Sequence, residues 1–268
     1  MTPGMMTNSN AGNDARMRRI AVMLDACQVS ARTLEEAVQI AARMGAQLEG
    51  IFVEDIDLIQ IAELPFLREV RSVSRSENTI NLTRMEQELR VLARRAERLL
   101  GEHAARHNVS WSFRIWRGSI DTELLTADTE ADVFALTRLG PSLARIPAVP
   151  TRTAAVSVVF TGTDASTRAL ETAMRLTTDP YKELNILLPA ENEAEAVRLQ
   201  EQAIRQLGEH ATSADFIRLN DGSLNDLLEV LAVTNSAVLI VERDNKLLQV
   251  PSLKRSLNNL NCPLLIVR

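Results

Sequence analysis

Apolar and polar positions along the chain alternate between two periods. Short apolar runs such as Ile20-Ala-Val-Met-Leu24 and Val238-Leu-Ile-Val241 read as strands buried on both faces. Between them, apolar residues step by three and four, as Met85, Leu89, Leu92, Ala96 and Leu99 do, which predicts one face of a helix. In the first half the pattern predicts strands at Arg19–Asp25, Gln47–Val53, Trp111–Trp116 and Val133–Thr137. The helices there fall at Ala31–Met44, Ile80–His107 and Asp121–Ala127. In the second half the predicted strands are Ala155–Thr161, Leu184–Pro189, Asp215–Leu219, Ala237–Val241 and Pro263–Val267. Its helices lie near Ser166–Leu176, Ala194–His210, Leu224–Val233 and Ser252–Leu260. Trp111, Phe113 and Ile115 alternate with Ser112 and Arg114, as a strand with two unequal faces requires. Strands alternating with helices in this way imply an α/β fold with a parallel sheet covered on both faces.

The same grammar occurs twice. Ser30-Ala-Arg-Thr-Leu-Glu-Glu-Ala37 aligns with Ser166-Thr-Arg-Ala-Leu-Glu-Thr-Ala173, and the strand before each aligns at the same spacing. Gly118-Ser119 answers Gly222-Ser223, and Ala131–Arg138 answers Ser236–Arg243. The second copy is shorter, and the loss falls between its second and third strands. This predicts a leader over 1–17, a first domain over 18–145 carrying an insert at 54–79, and a second domain over 153–268. Pro147 and Pro150 mark the linker within Pro141–Pro150. That linker leads straight into Ala155, so the first domain has no room for a last helix and fifth strand. One edge of its sheet is therefore expected to be incompletely covered.

Composition narrows the function. The 268 residues carry a formal net charge of -5, which argues against nucleic acid as a partner. The arginines of Arg84–Arg106 are interleaved with Glu86, Glu88, Glu97 and Glu102, as on a solvated helix face. No apolar run is long enough to span a membrane, and the polar start lacks the apolar core of a signal peptide. No membrane insertion is expected, and the cytoplasm is the expected location. Cys27 and Cys262 are far apart and form no C-x-x-C, so neither a disulfide framework nor a thiolate metal site is indicated.

The duplicated unit resembles the universal stress protein family in its tandem form. The resemblance rests on Ile20–Asp25 with Ser30–Ala37, on Ile51-Phe-Val-Glu54, on Trp111–Ser119 ending in Arg117-Gly-Ser119, and on Cys262-Pro-Leu-Leu-Ile-Val-Arg268. It covers about 18–140 and 154–268. It implies two Rossmann-like domains of the adenine nucleotide alpha hydrolase-like type, with strand order 3-2-1-4-5 and a crevice at the carboxyl ends of strands one and four. Some relatives bind ATP or AMP there. They use an Asp after the first strand, a backbone contact after the second, and a G-x2-G-x9-G-[ST] loop after the fourth. Glycine in such a loop lets backbone N–H groups approach the phosphates.

On this resemblance the cofactor-binding candidates are Asp25 and Val53 on the adenine side, Gly118 after the third strand, and Gly140 as the first phosphate-loop glycine. The later glycines are missing from Pro141–Pro147. In the second half Thr161 stands in place of the Asp, and Asp244–Lys254 holds no glycine. Neither G-x-G-x-x-G nor G-x-x-x-x-G-K-[ST] occurs. Asp25 selects adenine or caps the turn that follows it. Gly118 and Gly222 approach a ligand or supply a positive φ between strand and helix. His103 and His107 have a metal-compatible spacing, but His210 is the only other histidine, and a solvated helix end accounts for the pair. Cys27 lies at the crevice lip and is expected to be the more reactive thiol; Cys262 is expected to be buried at a closing edge strand. No nucleophile-base arrangement assembles, so no catalytic or metal site is assigned.

Ile56–Val73 places nine large apolar residues in a connection that the second half lacks, either as a helical flap on its own domain or as a surface for a partner. These readings lead to a non-enzymatic stress-response or regulatory protein that acts by binding a partner protein, with no cofactor expected and ATP binding weak or lost. The alternative is an ATP- or AMP-binding sensor, with slow ATP hydrolysis, using the first-half crevice. A hydrolase or transferase on the same superfold is a third class. A homodimer is expected, with Pro263–Val267 and the Ile56–Val73 insert as its contacts, alongside an unidentified client protein.

Overall fold

The computed structural model describes residues 19–25, 31–55, 68–70, 77–79, 82–118, 131–136, 155–177, 184–220, 222–234, 236–249, 260 and 262–268. In the first half, β1 (Arg19–Asp25) leads to α1 (Ala31–Met44) and β2 (Gln47–Asp55). A small hairpin follows, β3 (Arg68–Val70) with β4 (Glu77–Thr79), then α2 (Leu82–Arg106), β5 (Trp111–Gly118) and β6 (Val133–Leu136). The second half runs β7 (Ala155–Val159), α3 (Asp164–Leu176), β8 (Leu184–Pro189) and α4 (Glu193–Leu207). It ends with β9 (Ala214–Leu219), α5 (Leu224–Val233), β10 (Ser236–Glu242) and β11 (Leu264–Val267). Helix starts are set by side-chain caps. Thr163, Asn192 and Ser223 each accept a hydrogen bond from a backbone N–H three residues on, satisfying donors that the first turn leaves unpaired.

Nine strands form one sheet in the order β5-β2-β1-β6-β11-β10-β7-β8-β9. Counted within each half, the first contributes 3-2-1-4 and the second 3-2-1-4-5. Every pairing is parallel except that of β11 with β6. The last strand of the second half thus occupies the edge that the first half leaves open. Leu265 aligns with Ile240 of β10 on one side and Ala135 of β6 on the other. Beyond the strand, the Arg268 N–H donates to the Asp132 carbonyl, and the Arg168 guanidinium donates to the Arg268 carbonyl. The expected closing edge strand is therefore interior. Its main-chain groups are spent within the chain, so Pro263–Val267 cannot offer an edge to a second subunit.

A continuous apolar core lies on each face of the sheet. On one face Val22, Leu34 and Leu100 of the first half share a cluster with Val158, Leu170 and Leu265 of the second. On the other, Met23, Val53 and Phe134 share one with Leu187, Leu227 and Ile266. The buried face of α2 differs from the expected stripe. Ala93, Ala96, Leu100 and Ala104 are buried, while Leu92 and Leu99 flank them and Met85 and Leu89 are half-exposed. The buried row thus combines three alanines with Leu100, and Leu92 and Leu99 pack at its margin. Of the nine apolar residues in Ile56–Val73 only Val70 is among the described residues, where it belongs to a strand. The leader, the Pro141–Pro150 linker, the Asp121–Ala127 helix and all of the Ser252–Leu260 helix except Leu260 lie outside them, so the helical flap is described only where it is a hairpin.

Candidate functional site at the two switch points

In an open parallel sheet, neighbouring crossovers leave on opposite faces where the strand order reverses, and a crevice opens there at the carboxyl ends. This sheet has two such points, between β1 and β6 and between β7 and β10. At the first, Asp25 and Val53 end up side by side as register partners on β1 and β2. Val53 is buried. Gly118 ends β5, beyond β2, where it aligns with Asp55. The structure thus brings Asp25 and Val53 together and sets Gly118 two strands away from β1; Gly140 and Cys27 lie outside the described residues. One residue past Val53, the buried Glu54 accepts a hydrogen bond of 3.0 Å from Nε of Arg117, its register partner on β5. Arg117 also lies 3.8 Å from Glu86 of α2.

Gly118 corrects one expectation. Its φ is not in the left-handed region, whereas Gly222 has φ 61° immediately before the Ser223 cap. At Gly118 a Cβ would run into the indole ring of Trp116. The glycine is there because Trp116 folds across it.

The second switch point is built differently. Thr161, two residues past β7, donates a 2.8 Å hydrogen bond to Oε1 of Glu242, the last residue of β10. Asn245 Nδ2 donates to the same oxygen at 2.9 Å. Glu242 is only 4% exposed, and its Oε2 is buried without a hydrogen-bond partner. Asn245 then turns its own Oδ1 to the Leu247 N–H and caps a short 3₁₀ turn, Lys246–Leu248, whose two leucines are buried. The described start of this loop is anchored by two buried leucines, and the strand before it ends in a buried carboxyl group. Glu242 was not among the sequence candidates, yet its signal is in the repeat. The alignment that sets Thr161 against Asp25 also sets Glu242 against Thr137. In the aligned sequences the acid and the threonine have exchanged positions between the two copies.

His103 is buried in α2 with its Nδ1 unpartnered, not solvated as expected, while His107 lies past the helix end and is exposed. Among the described residues no three His, Cys, Asp or Glu side chains group as metal ligands. Among them too, no helix is long and apolar enough to cross a membrane. Cys262 is buried, as expected.

An α/β chain with a mostly parallel sheet and a crevice at each reversal of strand order belongs to the broad class of Rossmann-like folds. More narrowly, the chain has the universal stress protein fold. It is similar to the crystal structure of a universal stress protein from Archaeoglobus fulgidus, with a TM-score of 0.56 over 92% of this chain and 96% of that one, at 11% identity. A functionally unknown protein from Pseudomonas aeruginosa aligns over 94% of this chain and 92% of its own, with a TM-score of 0.45 and 13% identity. No protein-family model and no curated protein matches the sequence.

Proposed function

We propose that the chain is a non-enzymatic regulatory protein of the universal stress type that acts in the cytoplasm through protein-protein contact, with ATP binding weak or lost. The observation that carries this reading is the second switch point. Thr161, Glu242 and Asn245 bond across it, and the start of the loop that follows is anchored by the buried Leu247 and Leu248. A triphosphate bound there loses its backbone N–H donors and meets a carboxyl group instead. Charge-assisted hydrogen bonds contribute about 1.5–3 kcal/mol each, so two or three missing ones lower affinity by orders of magnitude. The tandem duplication then has a rationale: one crevice is structural, and the chain's surface carries the function.

The alternative, an ATP or AMP sensor in the first-half crevice, is favoured by one observation, the pairing of Asp25 with Val53 at the carboxyl ends of adjacent strands. Calorimetric titration with ATP, AMP and cyclic dinucleotides separates the two. The proposal expects no sub-micromolar binding by any of them. Tight ATP binding, or steady ATP turnover lost in Asp25→Ala, establishes the alternative instead.

A further inference from the structure

Three acid side chains are buried among the described residues, and their charges are met differently. Glu54, at the first switch point, accepts from the Arg117 guanidinium at 3.0 Å, so a cation compensates it. Asp226 lies in the first turn of α5, where the helix dipole favours an acid. Glu242 is the most buried of the three and ends a strand at the second switch point. Among the described residues no Lys, Arg or His forms an ion pair with it, and its Oε2 has no hydrogen-bond partner. A carboxylate taken out of water without a counter-charge is costly.

The hydrogen bonds around Glu242 run in one direction. The Ser166 N–H, in the first turn of α3, donates to Thr163 Oγ1 at 3.0 Å. Thr161 gives its one hydroxyl proton to Glu242 Oε1, so in the 3.2 Å contact between the two threonines Thr163 is the donor. Asn245 Nδ2 adds a second donor to Oε1. This chain of donors serves a negative charge and satisfies one of its two oxygens. A proton on Oε2 would only create a donor, and no acceptor lies within its reach. A water there would occupy a lone pair and leave the charge.

We propose that the second switch point binds a monovalent metal cation, Na⁺ or K⁺, anchored on Oε2 of Glu242. The unpaired charge selects a cation, and the burial of Oε2 selects a small one without an organic tail. The charge count selects a monovalent ion. Sites for Ca²⁺ gather several carboxylates, and Mg²⁺ gives up its water reluctantly. Here one carboxylate stands among hydroxyl and amide groups, and no three His, Cys, Asp or Glu side chains group among the described residues. The first copy carries Thr137 at the aligned position, so the site belongs to the second half alone. The proposal rests on the same network as the reading above, but its test contains no nucleotide. Calorimetry with ATP decides that reading, and a comparison of salts decides this one.

Thermal unfolding of the full chain in NaCl, KCl and choline chloride, each at about 0.1 M, holds screening equal. With a Kd of about 10 mM, Na⁺ or K⁺ should raise the folded-to-unfolded ratio about tenfold over choline. For a chain of this size that is a Tm higher by about 3–5 °C. The difference between the salts should vanish in Glu242→Gln and persist in Glu54→Gln, whose target already has its own cation. Sodium NMR on the wild type needs no variant: the protein should broaden the Na⁺ signal, and K⁺ but not choline should sharpen it again. The proposal is overturned by equal stability in the three salts or by stabilisation that only Mg²⁺ or Ca²⁺ provides. It is overturned equally by a salt difference that survives in Glu242→Gln, or by a Na⁺ signal that choline sharpens as well as K⁺ does.

Discussion

Leu265→Ala tests the most consequential feature of the sheet, the joining of its two halves through β11. Leu265 is fully buried, aligned with Ile240 in the second half and Ala135 in the first. Truncating a buried leucine costs about 2–5 kcal/mol, more where the surroundings cannot collapse into the cavity. Here strands on both sides and the α1/α3 layer above hold the cavity open, which places the cost at about 3–5 kcal/mol, a hundredfold or more in the folded-to-unfolded ratio. Urea unfolding followed by circular dichroism measures the total. Hydrogen exchange of peptides covering β6 and β10 shows how the loss is shared. Because β11 bonds to both strands, both peptides should lose protection together and the unfolding should remain a single transition. Loss of protection in β10 with β6 unchanged would refute the shared-strand reasoning, and so would a cost below about 1 kcal/mol, the scale of surface changes.

Three further outcomes are expected. Thr161→Val removes one donor from the buried Glu242 and should cost about 1.5–3 kcal/mol, the range for hydrogen bonds to charged groups; urea unfolding that shows no loss removes Thr161 from that network. Gly118→Ala should displace the Trp116 indole, red-shift tryptophan fluorescence and cost about 1–3 kcal/mol, as overpacking does; an unchanged spectrum and midpoint argue against the ring lying over the glycine. In timed alkylation of the native protein followed by mass spectrometry, Cys27 should label before the buried Cys262, and the reverse order would mean that the segment leading into β11 opens readily.

The sequence by itself determined most of the described elements and their order, though not the β3–β4 hairpin. The periods of two and 3.6 mark where apolar side chains alternate or spiral, and that is a local property. So α1 at Ala31–Met44, β8 at Leu184–Pro189 and α5 at Leu224–Val233 fall where the pattern places them. It also led to the expectation that the first half has no fifth strand, and among the described residues the place beside β6 is taken by β11 of the second half. The pairing of β11 was decided only by tertiary structure. Backbone N–H and C=O groups are the same at every residue, so an apolar strand read from sequence does not say which edge it will satisfy. The exact face of α2 was likewise decided by packing: the periodic stripe contains the buried Ala96 and the flanking Leu92 and Leu99, but only the fold shows that Ala93, Leu100 and Ala104 complete the buried row. Gly118 shows the same limit, because its neighbour Trp116, not its own φ, requires the missing Cβ. At the second switch point both kinds of information are present. The exchange of acid and threonine between aligned positions is written in the repeat. Only the fold, by setting β7 against β10, brings Thr161 within 2.8 Å of Glu242.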